Sequence, residues 1–212
     1  MEGVGNWLLR TSEFEKWHTG EDQAINPVLF YYGESGVGKT YLRCVAAALL
    51  KSRLELTWEW KQSSLVIDTL CDGLDFHAHK ELSATSVLAA LLKKLVAGVE
   101  PIPEEIKMAF DRAKREVDGR APGLREICAM FAKSVPPLSR GFICIDALDE
   151  FPAKHRSELW NSLQNIIREC PNIRLFITGR PHIREEVRKY FPGCLDQPQI
   201  SPPRRIFENT LL

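Results

Sequence analysis

Apolar residues in this chain follow two patterns that take turns along it. Short, nearly unbroken apolar runs occur at residues 28–32 (Val-Leu-Phe-Tyr-Tyr), 141–145 and 173–178. Runs of this kind predict strands buried on both faces. Gly73-Leu74-Asp75-Phe76-His77 is a further strand candidate, and Gln199-Ile200 marks the start of a last one. Between the runs the apolar positions return at helical spacing, most plainly Val87, Leu88, Leu91, Leu92, Leu95 and Val96 within residues 85–99. Helices are also predicted over 12–17, 39–53, 104–117, 123–135, 154–170 and 182–190. In the first of these, Ser12 and Glu15 have capping-box spacing, and Phe14 and Trp17 share a face. In 104–117 acids open the helix and bases follow, as its dipole favours. Strands alternating with helices specify an α/β fold whose mostly parallel sheet is covered on both faces.

The turn after the first run carries the clearest chemistry. Gly33-Glu34-Ser35-Gly36-Val37-Gly38-Lys39-Thr40 fits the phosphate-loop pattern G-x-x-x-x-G-K-S/T without deviation, with a strand before it and a helix after it. Glycines let the backbone curl so that successive N–H groups face phosphate oxygens, and the helix N-terminus adds its positive end. Lys39 is placed to reach the β- and γ-phosphates and the Thr40 hydroxyl to bind Mg²⁺. With those flanks the pattern is no accidental glycine turn.

A second signal follows the 141–145 run. Four apolar residues, Phe142 to Ile145, lead into Asp146-Ala147-Leu148-Asp149-Glu150. An acid at a strand tip can contact Mg²⁺ beside the phosphate-loop threonine, and a carboxylate just beyond it can polarise an attacking water. Asp146 is the magnesium residue on this reading and Glu150 the preferred general base, with Asp149 able to share either role. Charge on a transferring phosphoryl group also calls for an arginine. Arg180, in Phe176-Ile177-Thr178-Gly179-Arg180 at the end of a strand, is the candidate γ-phosphate sensor. Tips of parallel strands face one crevice, so it belongs beside the loop. His182, close by, reads as a structural residue, and His77 and His79 have no partner at ligand spacing.

Composition narrows this picture without changing it. The length of 212 residues suits one domain, and 44% hydrophobic with 26% charged residues is ordinary for a globular chain. Lys plus Arg and Asp plus Glu are 28 each, and a formal charge of zero argues against a dedicated nucleic-acid binder. No stretch approaches the ~20 apolar residues of a membrane helix, and the N-terminus lacks a secretory pattern. The six cysteines are scattered with no C-x-x-C pair, which reads as free thiols in a reducing cytoplasm. The expected partners are therefore a nucleotide and Mg²⁺, with no membrane and no nucleic acid.

Taken in order, Gly33–Thr40, Ile145 to Glu150 and Thr178-Gly179-Arg180-Pro181 resemble the NACHT NTPases of the STAND class. The likeness is strongest to the nephrocystin-like N-terminal NTPase domain of fungal NLR-like receptor proteins. Trp7-Leu8-Leu9, Phe14 to Trp17, Asp75-Phe76-His77, Glu81-Leu82-Ser83 and Val87-Leu88-Ala89 add to it. The resemblance implies a P-loop three-layer sandwich with a five-stranded sheet in the order 5-1-4-3-2. It also implies an ATP- or GTP-operated signalling switch with slow hydrolysis, and self-association through the NTPase domain. On this pattern residues 1–24 are a helical lead-in, 25–200 the NTPase core, and 201–212 a tail that stops before the usual helical and winged-helix segments. Effector and repeat modules likewise lie outside these residues.

Residues 44–63 have no counterpart in the family pattern. Their codons can be written with a splice donor at Arg43-Cys44-Val45, a branch site at Leu56-Thr57 and an acceptor at Lys61-Gln62, so an in-frame retained intron is one origin for them. Physically, residues 44–51 favour extension of the phosphate-loop helix, whereas 54–60 alternate like a strand, and packing around the loop is expected to be imperfect. Two rival functions are a truncated or mis-spliced fragment that binds nucleotide weakly or serves only for interaction, and a small-molecule P-loop kinase. The kinase would need an arginine-rich lid, and the sequence has no such cluster.

Overall fold

Five strands form one parallel sheet: β1 (Val28–Tyr32), β2 (Ser64–Leu70), β3 (Arg140–Asp146), β4 (Ile173–Gly179) and β5 (Leu195–Gln197). Their order is β2-β3-β4-β1-β5, which from the other edge is the 5-1-4-3-2 arrangement implied by the motifs. This computed structural model describes residues 11–20, 27–56, 64–70, 82–98, 122–135 and 140–197, with residues 102, 104, 106–108 and 111.

Side chains alternate across a pleated strand, so one strand feeds two cores. Val28, Phe30, Ile143, Ile145, Leu175 and Ile177 join one buried cluster. Helices α3 (Ala84–Ala97), α4 (Leu124–Ser134), α5 (Ala153–Glu169) and α6 (Arg184–Tyr190) cover it. The alternate residues Leu29, Tyr31, Phe142, Cys144 and Phe176 join a second cluster under α1 (Ser12–Thr19) and α2 (Lys39–Leu56). This division by residue parity is the three-layer sandwich, and it decides which face each functional side chain meets.

Helix α1 packs Phe14 and Trp17 into the second cluster, both fully buried, and the Trp17 indole donates to the Pro27 carbonyl at 2.9 Å. Its cap is Thr11, whose hydroxyl accepts from Phe14 N–H; Ser12, expected as the cap, is the first helical residue. At the other end Gly20 adopts φ 59°, and a Cβ there would run into the Arg174 guanidinium.

Helix α2 runs without a break from the phosphate loop through residues 44–56. It buries Ala46, Ala47 and Leu50 against the sheet. Leu54-Glu55-Leu56, whose alternation suggested a strand, are helical: adding a residue to an existing helix is far easier than starting a new element. Residues 57–60 and the strand candidate at 73–77 lie outside the described residues. The strand beside β3 is instead Ser64–Leu70. Of the 104–117 helix, the described residues 104, 106–108 and 111 are helical. The last described strand, β5, precedes Gln199-Ile200, which lie outside the described residues.

Candidate phosphate and magnesium site

Parallel pairing brings the tips of β1, β3 and β4 to one edge, with β4 between the other two. The phosphate loop leaves β1 there, and Gly33 N–H donates to Gly179 O of β4 at 3.1 Å. Gly36 and Gly38 sit at φ 80° and 89°. A Cβ on either would meet no heavy atom within 4 Å, so the loop needs glycine for its backbone conformation and not for space. Lys39 begins α2 and folds back over the loop, its Nζ donating to Gly33 O and Glu34 O, both at 2.7 Å. Thr40 is exposed beside it. No acid lies in the first turn of α2, so the positive end of the helix dipole is left uncompensated.

Asp146, at the tip of β3, is fully buried. The Thr178 hydroxyl of β4 donates to Asp146 Oδ1 and accepts Ala147 N–H at 3.1 Å. Both residues fall on the even-numbered face that carries Phe142, Cys144 and Phe176, and that face lies under α2. Asp146 Oδ2 has no hydrogen-bond donor among the described residues and faces Arg43 Nε of α2 at 3.7 Å. Ala147 then takes a left-handed conformation (φ 54°, ψ 41°) that turns the chain out of the sheet into the short 3-10 turn Leu148–Glu150.

Beyond that turn the acids and Arg180 meet. Asp149 Oδ1 accepts Arg180 N–H at 3.1 Å, and its Oδ2 pairs with Arg180 Nε at 3.1 Å. Asp149 is thus fully engaged, with its side chain 3% exposed. Glu150 lies 3.7 Å from Arg180 Nη2, and both of these side chains are 44% exposed. The turn is held from below by buried Arg156, whose Nη2 donates to Asp149 O at 3.0 Å and Phe151 O at 2.8 Å. Arg156 Nη1 pairs with Glu186 of α6 at 3.0 Å, and Glu186 also accepts the Trp160 indole at 2.9 Å.

The predicted residues therefore form two connected groups. Gly33 to Thr40 build the loop and helix start; Asp146, Asp149, Glu150 and Arg180 gather at the neighbouring tips. Thr178, Gly179 and Arg180 of a single segment touch one group or the other in succession. His182 is exposed in the 3-10 turn Pro181–Ile183, while His77 and His79 lie outside the described residues. Sequence reasoning missed Arg43, Thr178 and Arg156. Arg43 left a signal in its spacing, three residues after Thr40 and four after Lys39 on one face of α2, and Thr178 opened the Thr178-Gly179-Arg180-Pro181 motif without a role of its own; Arg156 left none.

The donor set fits a triphosphate with a hard divalent cation. The Lys39 ammonium lies over the loop, Thr40 is exposed at the helix start, and Asp146 keeps one buried carboxylate oxygen with no hydrogen-bond donor among the described residues.

The family described as Nephrocystin 3, N-terminal matches residues 3–180, and the chain belongs to it. The vegetative incompatibility protein HET-E-1 of Podospora anserina is 27% identical over 146 residues, covering 68% of this chain and 10% of that protein. The chain thus spans about a tenth of that relative's length. Among solved structures, the Aeropyrum pernix Orc1 protein in complex with DNA matches 89% of this chain and 42% of its own, with a TM-score of 0.55 and 13% identity. At that identity the likeness is one of fold. A Walker-type ATPase of Pyrococcus abyssi matches 89% of this chain and 53% of its own at a TM-score of 0.47 and 17% identity. The chain is a nephrocystin-like P-loop NTPase domain of the fungal NLR type that its motifs resemble.

Proposed function

We propose that this domain binds a nucleoside triphosphate with Mg²⁺, hydrolyses it slowly and serves as the nucleotide-operated switch of a cytoplasmic signalling protein. The observation that carries this reading is the segment Thr178-Gly179-Arg180, which ties the phosphate loop and the acidic turn into one site. Backbone N–H groups of Gly33 to Thr40 receive the phosphates. Lys39 exchanges the Gly33 and Glu34 carbonyls for β- and γ-phosphate oxygens. Thr40 and Asp146 hold Mg²⁺, which supplies charge neutralisation at the transferring phosphoryl group.

Glu150, exposed at the mouth of the site, takes the proton of the attacking water. Asp149 is better suited to a different part: with both oxygens on Arg180, it fixes the guanidinium so that its Nη groups can meet the γ-phosphate. An arginine already paired with two carboxylates gives up part of that pairing to serve the substrate, which accords with slow turnover. The same arrangement favours water as acceptor over a small-molecule kinase reaction. Self-association through this domain in the triphosphate state is the expected output.

The test is titration of fluorescent ATP and GTP analogues, with Mg²⁺, into the chain and its Lys39→Ala variant. Binding lost in the variant supports the site, and the tighter analogue identifies the base. Equal binding in both sinks the phosphate-loop assignment. Phosphate release should fall at least ~100-fold in Glu150→Gln with nucleotide affinity retained. Unchanged release would remove Glu150 from the chemistry. Size-exclusion elution that ignores nucleotide would favour an interaction fragment over a switch.

A further inference from the structure

Arg43 belongs to no recognised motif, yet it reaches the residue on which magnesium binding is proposed to depend. Asp146 is 1% exposed at its side chain, and a carboxylate that deeply buried requires a compensating charge. Its Oδ1 is satisfied by Thr178, while its Oδ2 has no hydrogen-bond donor among the described residues. Arg43 Nε stands 3.7 Å from that oxygen, beyond hydrogen-bonding distance but still within ion-pair range. The Arg43 side chain is itself only 10% exposed, so water screens the pair weakly. Its Nη2 also lies 3.3 Å from Cys44 Sγ. Thr40 is one helical turn earlier on the same face, so a cation between Thr40 and Asp146 would sit against the guanidinium.

We infer that Arg43 is the resident counter-ion of Asp146 in the nucleotide-free domain, and that magnesium must displace it to bind. The inference rests on Asp146 being the magnesium residue. A loose ion pair neutralises the carboxylate while leaving Oδ2 open to coordination. Magnesium alone gains little there, because it meets a fixed positive charge already in place. The triphosphate supplies the negative charge that tips the balance: it gives the divalent ion further oxygens and the displaced guanidinium an anionic neighbour. Arg43 thus makes the site accept magnesium with nucleotide and resist magnesium alone.

The experiment is a thermal-unfolding titration of the full nucleotide-free chain with MgCl₂ at constant ionic strength, beginning in EDTA. Wild type should move by less than ~1 °C, whereas Arg43→Met should start lower and regain about 3 °C or more, saturably. Arg43→Lys should behave as wild type, and Arg43→Met combined with Asp146→Asn should lose the magnesium response. If Arg43→Met folds only when magnesium is present, the inference stands. If it is unfolded in both conditions, or its magnesium response equals that of wild type, the inference falls. The underlying assignment fails separately: Asp146→Asn would then leave magnesium-dependent nucleotide binding unchanged.

Discussion

Arg156→Met should be among the most damaging single changes away from the phosphate loop. Arg156 is 8% exposed and ties three parts of the fold together: the acidic turn through Asp149 O and Phe151 O, its own helix α5, and α6 through Glu186. Methionine keeps most of the apolar stem, so lost packing is small. What is lost is the two charge-assisted hydrogen bonds to the Asp149 and Phe151 carbonyls. Each such bond contributes about 1.5–3 kcal/mol. The Glu186 pair adds less, about 0.5–1 kcal/mol, because Glu186 is 31% exposed and keeps the Trp160 indole as a donor. Allowing for relaxation of the turn, the net loss should be about 3–4 kcal/mol, a large share of the 5–15 kcal/mol typical of a domain. Urea unfolding followed by circular dichroism should show the midpoint falling with the slope unchanged. Glu186→Gln, which preserves hydrogen-bonding capacity, should cost under ~1.5 kcal/mol. A loss below ~1 kcal/mol for Arg156→Met, or equal losses for the two variants, would refute the assignment of the energy to the carbonyl contacts.

Three further outcomes follow from the same contacts. Thr178→Val removes the donor to Asp146 Oδ1 and orphans Ala147 N–H, and should cost about 2–4 kcal/mol by urea unfolding, while Thr178→Ser should cost far less. Burial pushes the Tyr31 hydroxyl up to about 12, against a partial opposing effect of its contact with Thr11. The folded state therefore keeps this proton where the unfolded chain loses it. Stability should be fully present below pH 10 and decline by roughly 2–3 kcal/mol as pH rises to 12, and the difference between wild type and Tyr31→Phe across that window measures it. Among the described cysteines, iodoacetamide should modify exposed Cys44 first; Cys170, buried with its thiol pushed up to about 11, should react on the order of 100-fold more slowly than an ordinary thiol, as peptide mass mapping would show.

What was legible in the sequence is what local physics decides. Gly36 and Gly38 are required by a backbone conformation that their own loop imposes, and the apolar runs of β1, β3 and β4 announce burial on both faces. The end of α2 was misread because alternation at Leu54 to Leu56 is a weak local signal beside the propagation of an 18-residue helix. β2 was absent from the pattern reading, although Val66 and Ile67 are buried, because Asp68 and Thr69 interrupt its apolar run. The sequence prefers Glu150 as general base but leaves Asp149 able to share either role. Only the fold turns one into a partner of Arg180 with its side chain 3% exposed and leaves the other 44% exposed.

The contacts of Thr178 and Gly179, which sequence reasoning could not reach, share one cause, the register of β4 between β1 and β3. Ile145 lies opposite Ile177, so the next residues, Asp146 and Thr178, are neighbours on the α2 side of the sheet. Tyr32 lies opposite Gly179, which places the start of the phosphate loop against the same strand tip. A one-residue slip of β4 would exchange its two faces. Ile177 would then take the place of Thr178 beside Asp146, and Phe176 would leave the cluster under α1 and α2. Both cores oppose such a slip, because Leu175 and Ile177 are buried in one and Phe176 in the other. Apolar packing on two faces therefore holds the polar geometry at the sheet edge. Substitutions that enlarge or empty either core at β4 should disturb the coupling between the loop and Asp146 before they alter either motif itself.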